Sequence, residues 1–265
     1  MRLNITHTTR YAFDDPVIYG LQQLRKTPKN SHQQTVISWK TGVEGGKKEL
    51  SFEDHNNNTV ELISFEKETT ELVVQCAGEV EIADTSGVVG PHRGPAPLWL
   101  FRRATPRTRA GAGCRALIRE VAGEGELERL HALSQLIHDK VAYEKGVSHA
   151  GWTAEEALAE GRGVCQDHAH IFVACAREMG LPARYVSGYL MMEDRTAQDA
   201  THAWAEAHVD GLGWVGFDVS NRISPDARYV RVATGLDYAE AAPVTGTRVG
   251  GAGEALSVEI EVAQQ

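Results

Sequence analysis

The sequence predicts an α+β protein. A β-rich N-terminal domain, expected as a β-sandwich, precedes a mixed core in which a cysteine opens a helix and a histidine and an aspartate lie on an antiparallel sheet. Three observations predict it. The first 85 residues alternate apolar and polar side chains with the period of a strand. From residue 126 the period becomes helical, and from residue 183 strand-like runs return, two of them separated by a hairpin-sized gap. The expected boundaries are 1–85 for the β-rich domain, 86–97 for a linker and 98–265 for the core.

Taken in order, RLNITHTTRYAF, TVISWKTGV, KKELSFEDHNNNTVELISFEKE and TELVVQCAGEVEIAD carry the alternation, with turn clusters at EGG (44–46) and NNN (56–58). Residues 85–97, TSGVVGPHRGPAP, are dominated by Gly and Pro, which marks an irregular connection. ELERLHALSQLIHDKVAYE (126–144) places Leu127, Leu130, Leu133, Leu136, Ile137 and Val141 on one helical stripe. TAEEALAEG (153–161) reads as a short helix with Thr153 as N-cap, Glu156 at the capping-box position and Gly161 as the stop. A further helix begins at Val164 and ends at Gly180, with Pro182 beyond it. Then come the strands ARYVSGYLMM, HAWAEAHVD and GWVGFDVS, the last two joined through Gly211 and Leu212, and a closing strand ALSVEIEVAQ.

Composition narrows the function classes. The chain has 265 residues, 42% hydrophobic and 24% charged, which is enough to bury a core without staples. Its formal charge of −9 argues against nucleic acid or anionic lipid as default partners. Between Thr85 and Arg119 there are seven arginines and no acid. They suggest either an anion-binding patch or pairing with an acidic body, and the overall charge favours pairing. The N-terminus MRLNITHTTRYAFDD has no apolar stretch of the secretory kind, so a cytoplasmic address is expected. No membrane span is expected either, since no apolar run reaches about 18 residues. Cys76, Cys114, Cys165 and Cys175 are scattered, which predicts free thiols; no zinc or calcium spacing is present, and no metal or cofactor is expected.

The chemistry concentrates in GVCQDHAHIFVACAREMG (163–180). Cys165 stands where the helix begins. Unsatisfied N–H groups and the positive end of the dipole favour a thiolate there, and the same N–H groups can hold an oxyanion. Cys175, mid-helix among Val173, Ala174 and Ala176, reads as packing. A nucleophilic thiol needs a base, and the base needs an orienter. His202 and Asp218 lie at comparable distances from the hairpin turn, so Asp218 can hold one imidazole nitrogen while the other addresses Cys165. Gln166 and Tyr143 are candidates for a second oxyanion donor. Asp167 suits the positive helix end, and His168 suits a supporting role. His168 and His170, two apart on a helix, diverge too far to share a metal. Trp204 and Trp214 are expected to pack the hairpin, with Trp204 beside the site; Arg184 and Tyr185 read as plain strand residues.

GVCQDHAH, then GLPARYVSGY, HAWAE and GWVGFDVSN, together resemble the transglutaminase-like superfamily. The resemblance is to its bacterial two-domain members, with an N-terminal β-rich domain before a papain-like core, and it covers essentially the whole chain. It implies a Cys–His–Asp triad at Cys165, His202 and Asp218. It also implies thiol-dependent acyl transfer on a peptide, protein or other amide substrate. The acceptor is water in protease-like members and an amine in cross-linking ones, and hydrolysis is the preferred expectation here. One departure stands out: a DPTN-like segment is common in the family, where this chain has Asp218-Val219-Ser220-Asn221. The competing expectation is a binding module that keeps the fold without turnover.

Overall fold

A computed structural model describes all residues 1–265. The chain opens with β1 (Arg2–Leu24), β2 (Gln34–Glu44), β3 (Gly46–Glu53), β4 (Thr59–Phe65) and β5 (Thr69–Ile82). β1 has 23 residues and a strictly alternating burial pattern through its first half. Arg2–Ala12 pair with β5, and Leu3–Ala12 pair on the other side with the closing strand β15 (Ala255–Gln264). The pairing breaks at Asp14-Asp15-Pro16, where proline has no N–H to give a ladder. Beyond the break β1 takes new partners, β4 and β14 (Val244–Gly250). One strand therefore serves two successive halves. The strands expected as a sandwich are joined through β1 into one hydrogen-bonded set of eight around a small apolar core that includes Tyr11, Phe13, Ile63 and Leu72.

The pairing also moves material across the expected boundaries. β14 and β15 belong by hydrogen bonding to the first sheet, although they lie within 98–265. Within the expected linker, β6 (Val88–Gly90) adds an edge strand to the second sheet. The alternating ALSVEIEVAQ needs a ladder partner, and β1 offers the free edge.

Four helices of the middle region follow, with short strands between them: α1 (Ala112–Glu120), α2 (Glu126–Lys140), β7 (Ala142–Tyr143), α3 (Ala154–Glu160), β8 (Arg162–Gly163) and α4 (Cys165–Glu178). α1 lies at the end of the arginine-rich stretch, where the sequence reading placed no element. α2 stops four residues before the expected end because Ala142 and Tyr143 pair with Arg162 and Gly163. Thr153 and Glu156 form the capping box, and Gly161 takes the left-handed conformation at the helix end. Two of the seven arginines pair with the body: Arg107 approaches Asp237 and Arg115 approaches Glu178.

The second sheet has the order β13-β9-β11-β12-β6, built from β9 (Ala183–Leu190), β11 (His202–Val209), β12 (Gly213–Phe217) and β13 (Tyr229–Gly235). A two-residue β10 (Ala197–Gln198) joins β15, and a single turn α5 (Tyr238–Ala241) precedes β14. Every residue of β9 is buried, since both faces of the sheet are covered. Ala203, Ala205 and Ala207 of β11 join the main apolar core with α4, and Phe172 of α4 stacks on Phe217 at 4.8 Å. Their small side chains let the helix lie close to the sheet. That contact fixes where the helix N-terminus ends. No helix is long and apolar enough to cross a membrane.

Candidate active site

Cys165 is the first residue of α4 and is partly exposed, while Cys76, Cys114 and Cys175 are buried; all four are free thiols. Two features set the helix start. Asp167 Oδ2 accepts from the Val164 N–H at 2.8 Å and from the Ser148 hydroxyl at 2.6 Å, which caps the helix one turn in. Gly163 leaves room for this carboxylate, because a Cβ there would lie 2.8 Å from Asp167 Cβ and Oδ2. Asp167 is thus a cap for the helix that carries the thiol.

His202 begins β11, and Asp218 follows β12. The hairpin register pairs Ala205 with Phe217, so its continuation sets Asp218 opposite Trp204, one diagonal step from His202. His202 Nε2 lies 2.6 Å from Asp218 Oδ2. That contact occupies Nε2 and leaves Nδ1 as the free edge of the ring. Cys165 and His202 line the same cleft. Burial by itself would push the His202 pKa down, but the Asp218 charge, then Cys165, and hydrogen bonds to both raise it to about 10. Asp218 is completely buried. Its burial would raise its pKa, yet the charge of His202 and hydrogen bonds from His202, Tyr229 and Asn221 hold it below the ordinary value.

Asp218 Oδ2 accepts three bonds: from His202, from the Tyr229 hydroxyl at 2.7 Å and from Asn221 Nδ2 at 2.7 Å. Tyr229 and Asn221 escaped the sequence reading. Asn221 lies three residues after the aspartate, a spacing that could have flagged it, whereas Tyr229 comes from a strand that its sequence does not announce. The segment Asp218-Val219-Ser220-Asn221 is anchored at successive residues. His168 Nδ1 meets Ser220 Oγ at 2.8 Å while its Nε2 meets the Val141 carbonyl at 2.9 Å. His138 Nδ1 donates to the Val219 carbonyl at 3.0 Å. Hydrogen bonds thus restrain the turn that lacks the proline. His168, buried and with its pKa lowered by desolvation, supports this turn and α2's end.

Tyr143, half exposed, lines the same cleft as Cys165, His202, Ser220 and Asn221, which places it within the site. Burial, with Cys165 next, raises its pKa to about 12, so it stays a neutral O–H donor at ordinary pH. Gln166 does not line the cleft. Trp204 is buried with its ring nearly parallel to His202, centroids 6.2 Å apart, and edge-on to Tyr229 at 5.4 Å. His170 turns away from His168 and accepts from the Tyr238 N–H at 3.1 Å. The far wall of the cleft comes from β10, the residues after it and β15, so the first sheet contributes to it.

A helix N-terminus carrying a thiol, packed on an antiparallel sheet, is an arrangement similar to the transglutaminase-like fold. Over 99% of this chain and 90% of the other, it matches the crystal structure of a candidate cysteine protease from Cytophaga hutchinsonii, with a TM-score of 0.81 at 19% identity. The family model for the transglutaminase-like superfamily matches residues 115–219, and the model for the bacterial transglutaminase-like N-terminal region matches residues 3–81. The chain belongs to the transglutaminase-like superfamily. Relatives include an uncharacterized protein of Mycobacterium leprae, 27% identical over 98% of both chains. An uncharacterized protein of Mycobacterium tuberculosis is 27% identical over 92% of this chain and 87% of its own.

Proposed function

We propose that the protein is a thiol-dependent acyl transferase that cleaves amide bonds, with water as the acceptor, through Cys165, His202 and Asp218. The carrying observation is the 2.6 Å contact of His202 Nε2 with Asp218, which leaves the other ring nitrogen for the thiol at the start of α4. The Cys165 sulfur attacks the amide carbon. The imidazolium delivers its proton to the leaving amine, so the amide C–N bond breaks and a thioester forms. Water, activated by the now neutral His202, releases the acid and restores the thiol. Asp218 fixes the ring orientation and stabilises its charged form. First-turn N–H groups of α4, with Tyr143 as the side-chain candidate, face the developing oxyanion. The fold likeness to the candidate protease supports hydrolysis as the first choice; a protein-glutamine amine transfer would use the same thioester with an amine in place of water.

The test is the pH dependence of Cys165 alkylation by iodoacetamide, read by mass spectrometry, in wild type and His202→Ala. Reaction well below the free-thiol pKa of about 8.5, lost without His202, is expected. Alkylation of Cys165 that is as slow as that of Cys175 and indifferent to His202 would overturn the reading and favour a silent binding module. Peptide-amide turnover with and without a primary amine then separates hydrolysis from transfer, and Cys165→Ala must abolish both.

A further inference from the structure

A second cavity, of about 720 Å³, lies where the residues after β1 meet the second sheet, and it shares no lining residue with the Cys165 cleft. Its wall carries Lys29, Arg184 and Arg231. Both arginines are buried, and they flank Glu206, which is wholly buried. Arg184 Nε and Arg231 Nε each reach a Glu206 oxygen at 2.6 Å, and Arg231 Nη2 reaches one at 3.1 Å. The carboxylate is then fully engaged. Both terminal nitrogens of Arg184 and Nη1 of Arg231 have no protein acceptor. The Arg184 guanidinium stacks 3.8 Å from the Trp214 ring, which also lines the cavity and fixes its plane.

Lys29 Nζ donates to the Asn56 carbonyl at 2.6 Å and Thr234 Oγ1 at 2.8 Å, with no carboxylate at ion-pair distance. Two guanidiniums thus face one engaged carboxylate, an excess of one fixed positive charge where unpaired charge is costly, and burial, with Arg231 and Arg184 next, pushes the Lys29 pKa well below the ordinary lysine value. Arg93, from the arginine-rich stretch, stands exposed at the rim. Glu53 is the one carboxylate in the lining, and it is exposed. Two buried polar atoms in this lining lack partners, Ser31 Oγ and Asn56 Oδ1. Asn56 Nδ2 donates to Glu240 at 3.1 Å.

We propose that this cavity binds a small doubly charged oxyanion, such as hydrogen phosphate, a phosphate monoester or a dicarboxylate. The free guanidinium edges and Lys29 take the oxyanion. The ligand neutralises the excess charge and bridges the first sheet's connections to the second sheet.

The test is isothermal titration of the whole chain with inorganic phosphate at fixed ionic strength, with chloride as control and malate as the dicarboxylate arm. Saturable one-site binding by phosphate or malate and none by chloride is expected. Lys29→Gln should weaken it at least tenfold, Arg93→Gln a few fold, and Cys165→Ala not at all. Absence of saturable binding at millimolar concentration, binding unmoved by these cavity substitutions, or loss in Cys165→Ala would each overturn the proposal. Should Lys29→Gln fail to fold, Arg93→Gln decides.

Discussion

Two carboxylates, Asp218 and Glu206, are both completely buried and both satisfied by side chains, yet their donors differ in kind. Asp218 is held by an imidazole, a phenol and an amide. Glu206 is held by two guanidiniums: burial alone would raise its pKa, but their charges and hydrogen bonds together outweigh burial and lower it to about 2. The two groups sit close together: His202 and Glu206 lie four residues apart on one face of β11, roughly 13 Å along the strand, with Trp204 between them. Arginine does not release its proton, so the Glu206 cluster holds fixed charge. Histidine does release it, so charge in the Asp218 cluster can move. One face of one strand thus carries a static ion cluster and a titratable one, and the partly exposed thiol lines the same cleft as the titratable one.

The largest expected effect separates them by activity. Asp218→Asn keeps the size of the side chain but disturbs the imidazole's charge and tautomer, and it should lower turnover by about 10²–10⁴-fold. Stability should change less than in the guanidinium cluster. Equal losses of activity and folding in Asp218→Asn would erase the distinction. Glu206→Gln is the counterpart: it strands two buried guanidiniums and should cost about 3–5 kcal/mol in a urea unfolding experiment. If the variant is as stable as wild type, Glu206 does not hold that cluster together.

A third, smaller effect lies in pH. The folded His202 pKa is raised to about 10 from the ordinary imidazole value of 6.5. The folded state therefore keeps a proton the unfolded chain gives up. This stabilisation is fully present below 6.5 and is lost as pH rises through about 10. Asp218, depressed below 3.8, works in the opposite direction, its contribution being lost as pH falls through the folded value. Urea unfolding of His202→Gln should show a flatter dependence between pH 7 and 10 than wild type, by a few kcal/mol at most. A slope that His202→Gln leaves unchanged would show that other groups carry the pH dependence.

The sequence makes some of this legible and hides the rest for physical reasons. A thiol after Gly-Val at a helix start, and a His and an Asp flanking a hairpin turn, are local patterns, and local patterns survive reading one chain at a time. Thr153 and Gly161 are readable because caps are local too. Tyr229 is not, since it reaches Asp218 from a non-adjacent strand. Arg184 shows the same blindness. It reads as an ordinary strand residue, yet it is one of two guanidiniums on Glu206, and its cross-strand and long-range partners exist only in the fold. The single eight-stranded sheet was also hidden, because alternation specifies a strand but not its partners. β1 gains a different set of partners on each side of Pro16.

The smallest effect sharpens the comparison at its own boundary. Tyr229 is the donor to Asp218 furthest from the cleft, and its hydroxyl lies 2.7 Å from the oxygen that also meets His202. Tyr229→Phe removes one of three bonds to Oδ2 and keeps the ring that packs edge-on against Trp204. The carboxylate keeps its other two donors, so the cost should be about 1 kcal/mol, in stability or as a few-fold fall in turnover. The informative readout is the pH profile of Cys165 alkylation. With one donor fewer, Asp218 is less well held as an anion and the His202 ion pair weakens, so the upper limb of the profile should move to lower pH. If the rate falls with no movement of that limb, Tyr229 acts only through packing, and charge in this cluster is set by His202 and Asn221 alone.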